Sequence, residues 1–129
     1  MKRITEKHTF HNATSLTSTT ANNGTAGNMT AGYEKLFLDI EITSTGSPDR
    51  MFLKVQTRED DDDTWKDYDL GYAKTMYFED TQTSSGLNVG FPIPGEICED
   101  QVRVVATAEG TVNGSNYWTV TVKGIRYSK

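Results

Sequence analysis

Two histidines near the N-terminus, His8 and His11, are the side chains of this sequence best suited to bind a metal or move a proton. A zinc site needs a third and usually a fourth ligand, and the nearest carboxylate is that of Glu6. Nucleophilic catalysis needs a serine, threonine or cysteine beside an oriented base, but Cys98, the single cysteine, lies far away in sequence. We therefore expect no metal, no cofactor and no catalytic residue, and we interpret both histidines as exposed or interface side chains.

A run of four aspartates, Asp60, Asp61, Asp62 and Asp63, offers the oxygen ligands that Ca²⁺ prefers. The run lacks the spaced ligands and the central glycine of an EF-hand loop, so we interpret it as a solvated hairpin tip. Nothing in the sequence marks any two of the 18 acidic residues as the carboxylate pair of a glycoside hydrolase. We predict that Asp61, Asp62 and Asp63 contact a partner protein, and that Trp65 plugs the core rather than forming a ligand platform.

The composition of the 129-residue chain argues against two classes of partner. A net charge of −5 does not favour a nucleic-acid surface, which needs a basic patch. No apolar run approaches the roughly 20 residues that span a bilayer. The basic start is not followed by the apolar stretch of a secretory signal. We therefore expect no nucleic acid and no membrane as partners, and the single cysteine fits folding in a reducing cytoplasm.

The elements that must carry these residues are β-strands, and the clearest of them lie within residues 33–57. Apolar side chains occupy every second position of two runs: Leu36, Leu38, Ile40, Ile42, and then Met51, Leu53, Val55. A period of two with one apolar face indicates a half-buried strand. Polar turn residues at positions 44–49 separate the two runs, so we predict antiparallel neighbours in one sheet.

The rest of the chain repeats this pattern at short intervals. Further strands are predicted over residues 72–78, 87–93, 101–106 and 116–127. Pro92 and Pro94 cannot donate ladder hydrogen bonds, so the strand that contains Pro92 lies at a sheet edge or ends there. The pair Asn113-Gly114 is a strong hairpin signal. Short strands at regular spacing predict an all-β fold, an antiparallel two-layer β-sandwich of immunoglobulin-like or jelly-roll type, over residues 33–129.

Residues 1–32 differ in composition from the rest, because Thr, Ser, Asn, Ala and Gly dominate them. Such a segment buries too little apolar surface to offset its own ordering entropy. We expect an extended N-terminal arm, with a short edge strand over residues 7–16, that becomes ordered against a neighbouring subunit; a disordered tail is the alternative. The apolar side chains predicted to bind that subunit are Phe10, Leu16 and Met29. Deleting residues 1–30 is expected to leave the sandwich folded and to weaken assembly.

Three stretches share strand and turn patterns with a known family. They are residues 36–48, LFLDIEITSTGSP, residues 55–67, VQTREDDDDTWKD, and residues 102–107, VRVVAT. Together these resemble small β-sandwich structural proteins of tailed-bacteriophage virions, found in head or neck gene clusters, and the resemblance covers residues 33–127. The chain departs from the family pattern at Asp61-Asp62-Asp63, which replaces a glycine-rich turn, and in its longer polar arm.

The resemblance implies a non-enzymatic virion protein, most specifically a capsid decoration (cement) protein that binds and stabilises the lattice of the major capsid protein. It implies a place on the capsid surface after synthesis in the host cytoplasm, and copies of the same chain as partners, in a trimer or another homo-oligomer. Two alternatives stay open: a neck or tail component, and a carbohydrate- or cell-surface-binding module. The aromatic side chains that would serve such a module are Tyr72, Tyr77, Tyr117 and Trp118.

Overall fold

The computed structural model describes residues 3–28, 35–70, 75–93 and 100–128, whose regular structure consists almost entirely of antiparallel strands. The strands are β1 (Arg3–Leu16), β2 (Gly27–Asn28), β3 (Lys35–Thr45), β4 (Arg50–Arg58), β5 (Lys66–Asp67), β6 (Met76–Glu79), β7 (Leu87–Pro92), β8 (Gln101–Glu109) and β9 (Tyr117–Ser128). One turn of helix, α1 (Asp80–Thr83), lies between β6 and β7. In these described ranges, no helix is long and apolar enough to cross a membrane. The predicted all-β fold class is confirmed.

Two antiparallel sheets pack face to face. The first sheet has the strand order β1-β9-β3-β7, and the second has the order β2-β8-β4-β5, with β6 also paired to β4. Along the chain, each strand lies in the sheet opposite to that of the strand before it, except that β4, β5 and β6 all belong to the second sheet. This alternation is the arrangement of a jelly roll, whereas an immunoglobulin sandwich places several consecutive strands side by side. The two-layer sandwich was therefore predicted correctly, and its strand order selects the jelly-roll type.

The prediction that the two runs within residues 33–57 are neighbours in one sheet is wrong. β3 pairs with β9 and β7, whereas β4 pairs with β8, β5 and β6 in the facing sheet. The alternation of apolar residues shows which face of a strand is buried, but it does not determine which strand pairs with it. The turn residues instead carry the chain across the core: Gly46 has a φ of 74°, and the Ser47 amide donates to Asn116 Oδ1 at 2.6 Å.

The Asn113-Gly114 pair lies in a tight turn that also connects the two sheets. The Asn113 and Asn116 backbones exchange two hydrogen bonds of 3.0 and 3.2 Å. β8 ends before this turn in the second sheet, and β9 begins after it in the first sheet. The turn was predicted correctly, but the hairpin was not, because the strands that the turn joins separate into different layers.

β7 is an edge strand, as its proline predicts. Among the described strands it pairs with β3, and Pro92 is its last residue. Its side chains follow the predicted period of two, since Leu87, Val89 and Phe91 pack against the core. The missing amide of Pro92 costs no ladder hydrogen bond at such a position.

The core lies between the sheets and is formed by the apolar positions of the alternating runs. Its fully buried aliphatic members include Leu38, Ile40, Ile42, Met51, Leu53, Val55, Val104, Val120 and Val122, each 0% exposed. The intervening side chains of β3, Asp39 and Glu41, are exposed on the outer face. Burial of apolar surface, at about 25 cal/mol per Å², is the main force that holds the two layers together.

β1 lies along β9 for its whole length, from Arg3 opposite Ser128 to Leu16 opposite Trp118. The strand is longer than the short edge strand predicted from composition. Its register shifts between residues 9 and 14, where Ala13 adopts a φ of 50°. Such bulges interrupt the period of two and change the direction of side chains, which explains why the consecutive residues Phe10 and His11 are both buried.

Candidate functional site

Phe10 and Leu16, two of the predicted contacts to a neighbouring subunit, lie inside the core of their own chain. They are 2% and 3% exposed. The Phe10 ring occupies the space beside Gly124, where a β-carbon would overlap it. Met29 lies outside the described residues. Binding of these side chains to another subunit stays a prediction, and for Phe10 and Leu16 it would require β1 to leave β9.

The four aspartates form a turn between β4 and β5, which we call the acidic tip (residues 60–63); Asp60, Asp61 and Asp62 are exposed, and Asp63 is half-buried. The side chain of Asp61 is 85% exposed, and Asp60 Oδ1 accepts a 2.9 Å hydrogen bond from the Asp62 amide. The predicted hairpin is confirmed, because β4 and β5 pair antiparallel on either side of the tip. In the part of the chain that the structure describes, no three His, Cys, Asp or Glu side chains are grouped to hold a metal ion; Cys98 lies outside that part.

Trp65 lies on the outer face of the second sheet, so its prediction as a core plug is wrong. The guanidinium carbons of Arg58 and Arg103 lie 4.3 and 4.4 Å from the centre of its ring. Cation–π attraction of this kind favours an indole that stays partly exposed beside arginines. We call these three side chains the arginine–tryptophan cluster. The sequence shows no sign of it, because Arg103 reaches Trp65 only through the pairing of β8 with β4.

Glutamines hold the two arginines of the cluster in place. Arg58 Nε donates to Gln101 Oε1 at 2.6 Å, and Gln101 Nε2 donates to Asp61 Oδ1 at 2.8 Å. Arg103 Nε donates to Gln56 Oε1 at 2.8 Å, and the Gln56 side chain is itself buried. Burial and the neighbouring charge of Arg58 lower the pKa of Arg103. The cluster is therefore a rigid, positively charged surface feature that adjoins the acidic tip.

His11 is buried, 2% exposed, which corrects its interpretation as an exposed or interface side chain. Its Nε2 lies 2.6 Å from the Val104 carbonyl oxygen, and its Nδ1 lies 3.1 Å from Thr14 Oγ1. A carbonyl can only accept, so we assign the proton to Nε2, and Nδ1 accepts from the threonine hydroxyl. His11 thereby ties β1 of the first sheet to β8 of the second. His8 is half-buried, with Nε2 2.9 Å from the Thr25 carbonyl oxygen.

Lowering the pH is expected to weaken the fold through His11. Burial lowers the pKa of His11 below its usual 6.5, against the opposing effect of the hydrogen bond to Val104. Between the lowered pKa and about 6.5, the unfolded chain binds more protons than the folded chain, so the free energy of unfolding falls as the pH drops. Urea unfolding at a series of pH values measures this slope. His11→Gln should flatten it; a His11→Gln protein with the wild-type slope would contradict the assignment.

The three aromatic side chains considered for sugar binding that the structure describes, Tyr77, Tyr117 and Trp118, do not form one platform. Trp118 is 0% exposed in the core, whereas Tyr77 is 50% exposed. Tyr117 is half-buried and belongs to the first sheet, while Tyr77 belongs to the second. Tyr72 lies outside the described residues. Stacking of a sugar would need aromatic rings that share a surface, and Tyr77, Tyr117 and Trp118 do not share one.

Comparisons with known proteins add a distant likeness. No protein-family model matches the chain, and no curated protein sequence matches it. Among solved structures, the chain is similar to the coat protein of Tobacco streak virus, with 12% sequence identity and a TM-score of 0.42 over 100% of this chain and 84% of that one. A likeness at this distance carries no argument about function, and it does not point to tailed bacteriophages in particular.

Proposed function

We propose that this chain is a structural protein of a virus particle, and more narrowly a capsid decoration protein of a tailed bacteriophage. The observation that carries the proposal is the jelly-roll strand order, because jelly rolls recur in viral capsid domains. This is an analogy at the level of fold, since one fold hosts several functions. The narrower role rests on the sequence resemblance over residues 33–127.

The proposed activity is adhesion between proteins. The chain binds the assembled lattice of the major capsid protein and associates with further copies of itself on the capsid surface. A protein that binds the assembled lattice, and not its separate subunits, stabilises that lattice by mass action. The acidic tip and the arginine–tryptophan cluster offer charged and aromatic groups to such partners on one outer face.

Particles of the virus whose genome encodes the chain provide the direct test. We expect the purified chain to co-sediment with capsids assembled without it, and to raise the temperature at which those capsids come apart. The copy number per particle, counted in a reconstruction, should match the symmetry of the capsid lattice.

Two other results would redirect or overturn the proposal. Density for the chain confined to the neck or tail would replace decoration by the other virion role considered above. Absence of the chain from purified particles, together with no binding to capsids at any concentration, would overturn a structural role in the virion.

A further inference from the structure

The outer face of the second sheet has the composition of a protein–protein interface. Further along the same outer face, Tyr77 packs against Phe52 with ring centres 5.5 Å apart, and Arg50 lies 4.8 Å from the Tyr77 ring. Tryptophan, tyrosine and arginine are the residues that most often dominate binding energy at interfaces. The central strands of the first sheet face outward mainly with the polar side chains of Asp39, Glu41, Thr43, Thr119, Thr121 and Lys123, together with the half-buried Phe37, Tyr117 and Ile125, and they carry no arginine there.

The cluster is already ordered before any partner arrives. Arg58 and Arg103 are each held by a glutamine and by the Trp65 ring, and the side chain of Arg58 is only 20% exposed. Ordering a free arginine side chain on binding costs free energy. Here the arginine side chains are already ordered by folding, so binding does not have to order them. Two like charges that share one ring also favour the approach of an anion.

The matching anion is present on the same face. The acidic tip begins beside the cluster, where Arg58 Nη2 lies 3.3 Å from Asp61 Oδ1. The next two carboxylates, those of Asp62 and Asp63, have no side-chain partner among the described residues. A surface with adjacent positive and negative patches is complementary to itself when a two-fold axis passes between the patches.

We propose that two copies of the chain pair through the outer faces of their second sheets, so that the acidic tip of each copy contacts Arg103 of the other. This inference deepens the proposed function, on which it rests for the expectation of self-association. It names the surface and the partner: a second copy of this chain, bound by reciprocal carboxylate–guanidinium contacts around the tryptophan.

Sedimentation velocity of the purified full chain, from about 1 μM to about 1 mM, measures the dimer dissociation constant. Wild type should dimerise, and more weakly as salt rises, because salt screens partly exposed ion pairs. Asp62→Lys turns two attractions per dimer into repulsions and should weaken dimerisation at least about tenfold. Glu41→Lys is the matched control, since it makes the same charge change on the outer face of the first sheet and should leave the constant unchanged.

Exchanging the charges of residues 62 and 103 tests whether these two residues contact each other across the dimer. Arg103→Glu alone should weaken dimerisation to a similar degree, but a mixture of Arg103→Glu with Asp62→Lys should form a heterodimer, because both contacts are again between opposite charges. If Arg103→Glu fails to fold, Asp62→Lys decides alone, since residue 62 lies in an exposed turn. A monomeric wild type, or a dimer indifferent to Asp62→Lys, would overturn this inference. No virus particle enters the experiment, so either outcome leaves the test of virion location independent.

Discussion

Leu38→Asp is expected to leave the chain unfolded at 25 °C. Leu38 is 0% exposed and lies on β3 between the two sheets. Leu36 and Ile40 flank it on the same buried face, and burial of a carboxylate among aliphatic side chains costs several kcal/mol in addition to the lost apolar contacts. Typical domains have only about 5–15 kcal/mol of stability to lose. Circular dichroism and urea titration would show the loss of the cooperative transition.

The adjacent residue supplies the matched control. Asp39 lies one position along β3, on the exposed outer face, opposite Lys123 of β9. Asp39→Asn removes a charge without touching the core, so the free energy of unfolding should change by no more than about 0.5 kcal/mol. A folded Leu38→Asp protein with the wild-type midpoint would mean that β3 buries its other face.

The alternation of β3 made its buried face predictable from the sequence alone. The sequence of each strand by itself indicates which of its side chains face the core, because the period of two is a local property. The all-β class, the two layers, the edge position of β7 and the exposed acidic tip follow from such local signals. They require no knowledge of which distant residues become neighbours.

The misassigned features all depend on distant contacts. Trp65 was predicted to be buried, but its position is set by Arg58 and Arg103, and the latter comes from β8. His11 was predicted to be accessible, but a bulge turns it toward the Val104 carbonyl. β3 and β4 were paired because they are close in sequence, whereas the jelly roll places them in facing sheets. The exposed acidic tip was therefore predictable, and the arginine–tryptophan cluster was not.

Deleting residues 1–16 is expected to unfold the chain or to reduce its stability severely. The composition of the first 32 residues predicts the opposite, a sandwich that survives without them. The structure argues otherwise, because β1 covers the edge of β9 and contributes Phe10 and Leu16 to the core. Without β1, Trp118 opposite Leu16 would lose its cover and β9 would become an exposed edge prone to pairing with other chains. Size-exclusion chromatography and thermal unfolding of the truncated chain measure the effect.

A pair of point substitutions separates the packing of β1 from its backbone pairing. Phe10→Ala removes an aromatic ring from a fully packed site beside Gly124 and should lower the free energy of unfolding by about 3–5 kcal/mol. Thr9→Ala, at the adjacent exposed position, should change it by no more than about 0.5 kcal/mol. If both variants unfold at the wild-type urea midpoint, β1 does not contribute to the core in solution. That outcome would restore the independent arm, with Phe10 and Leu16 available to a neighbouring subunit.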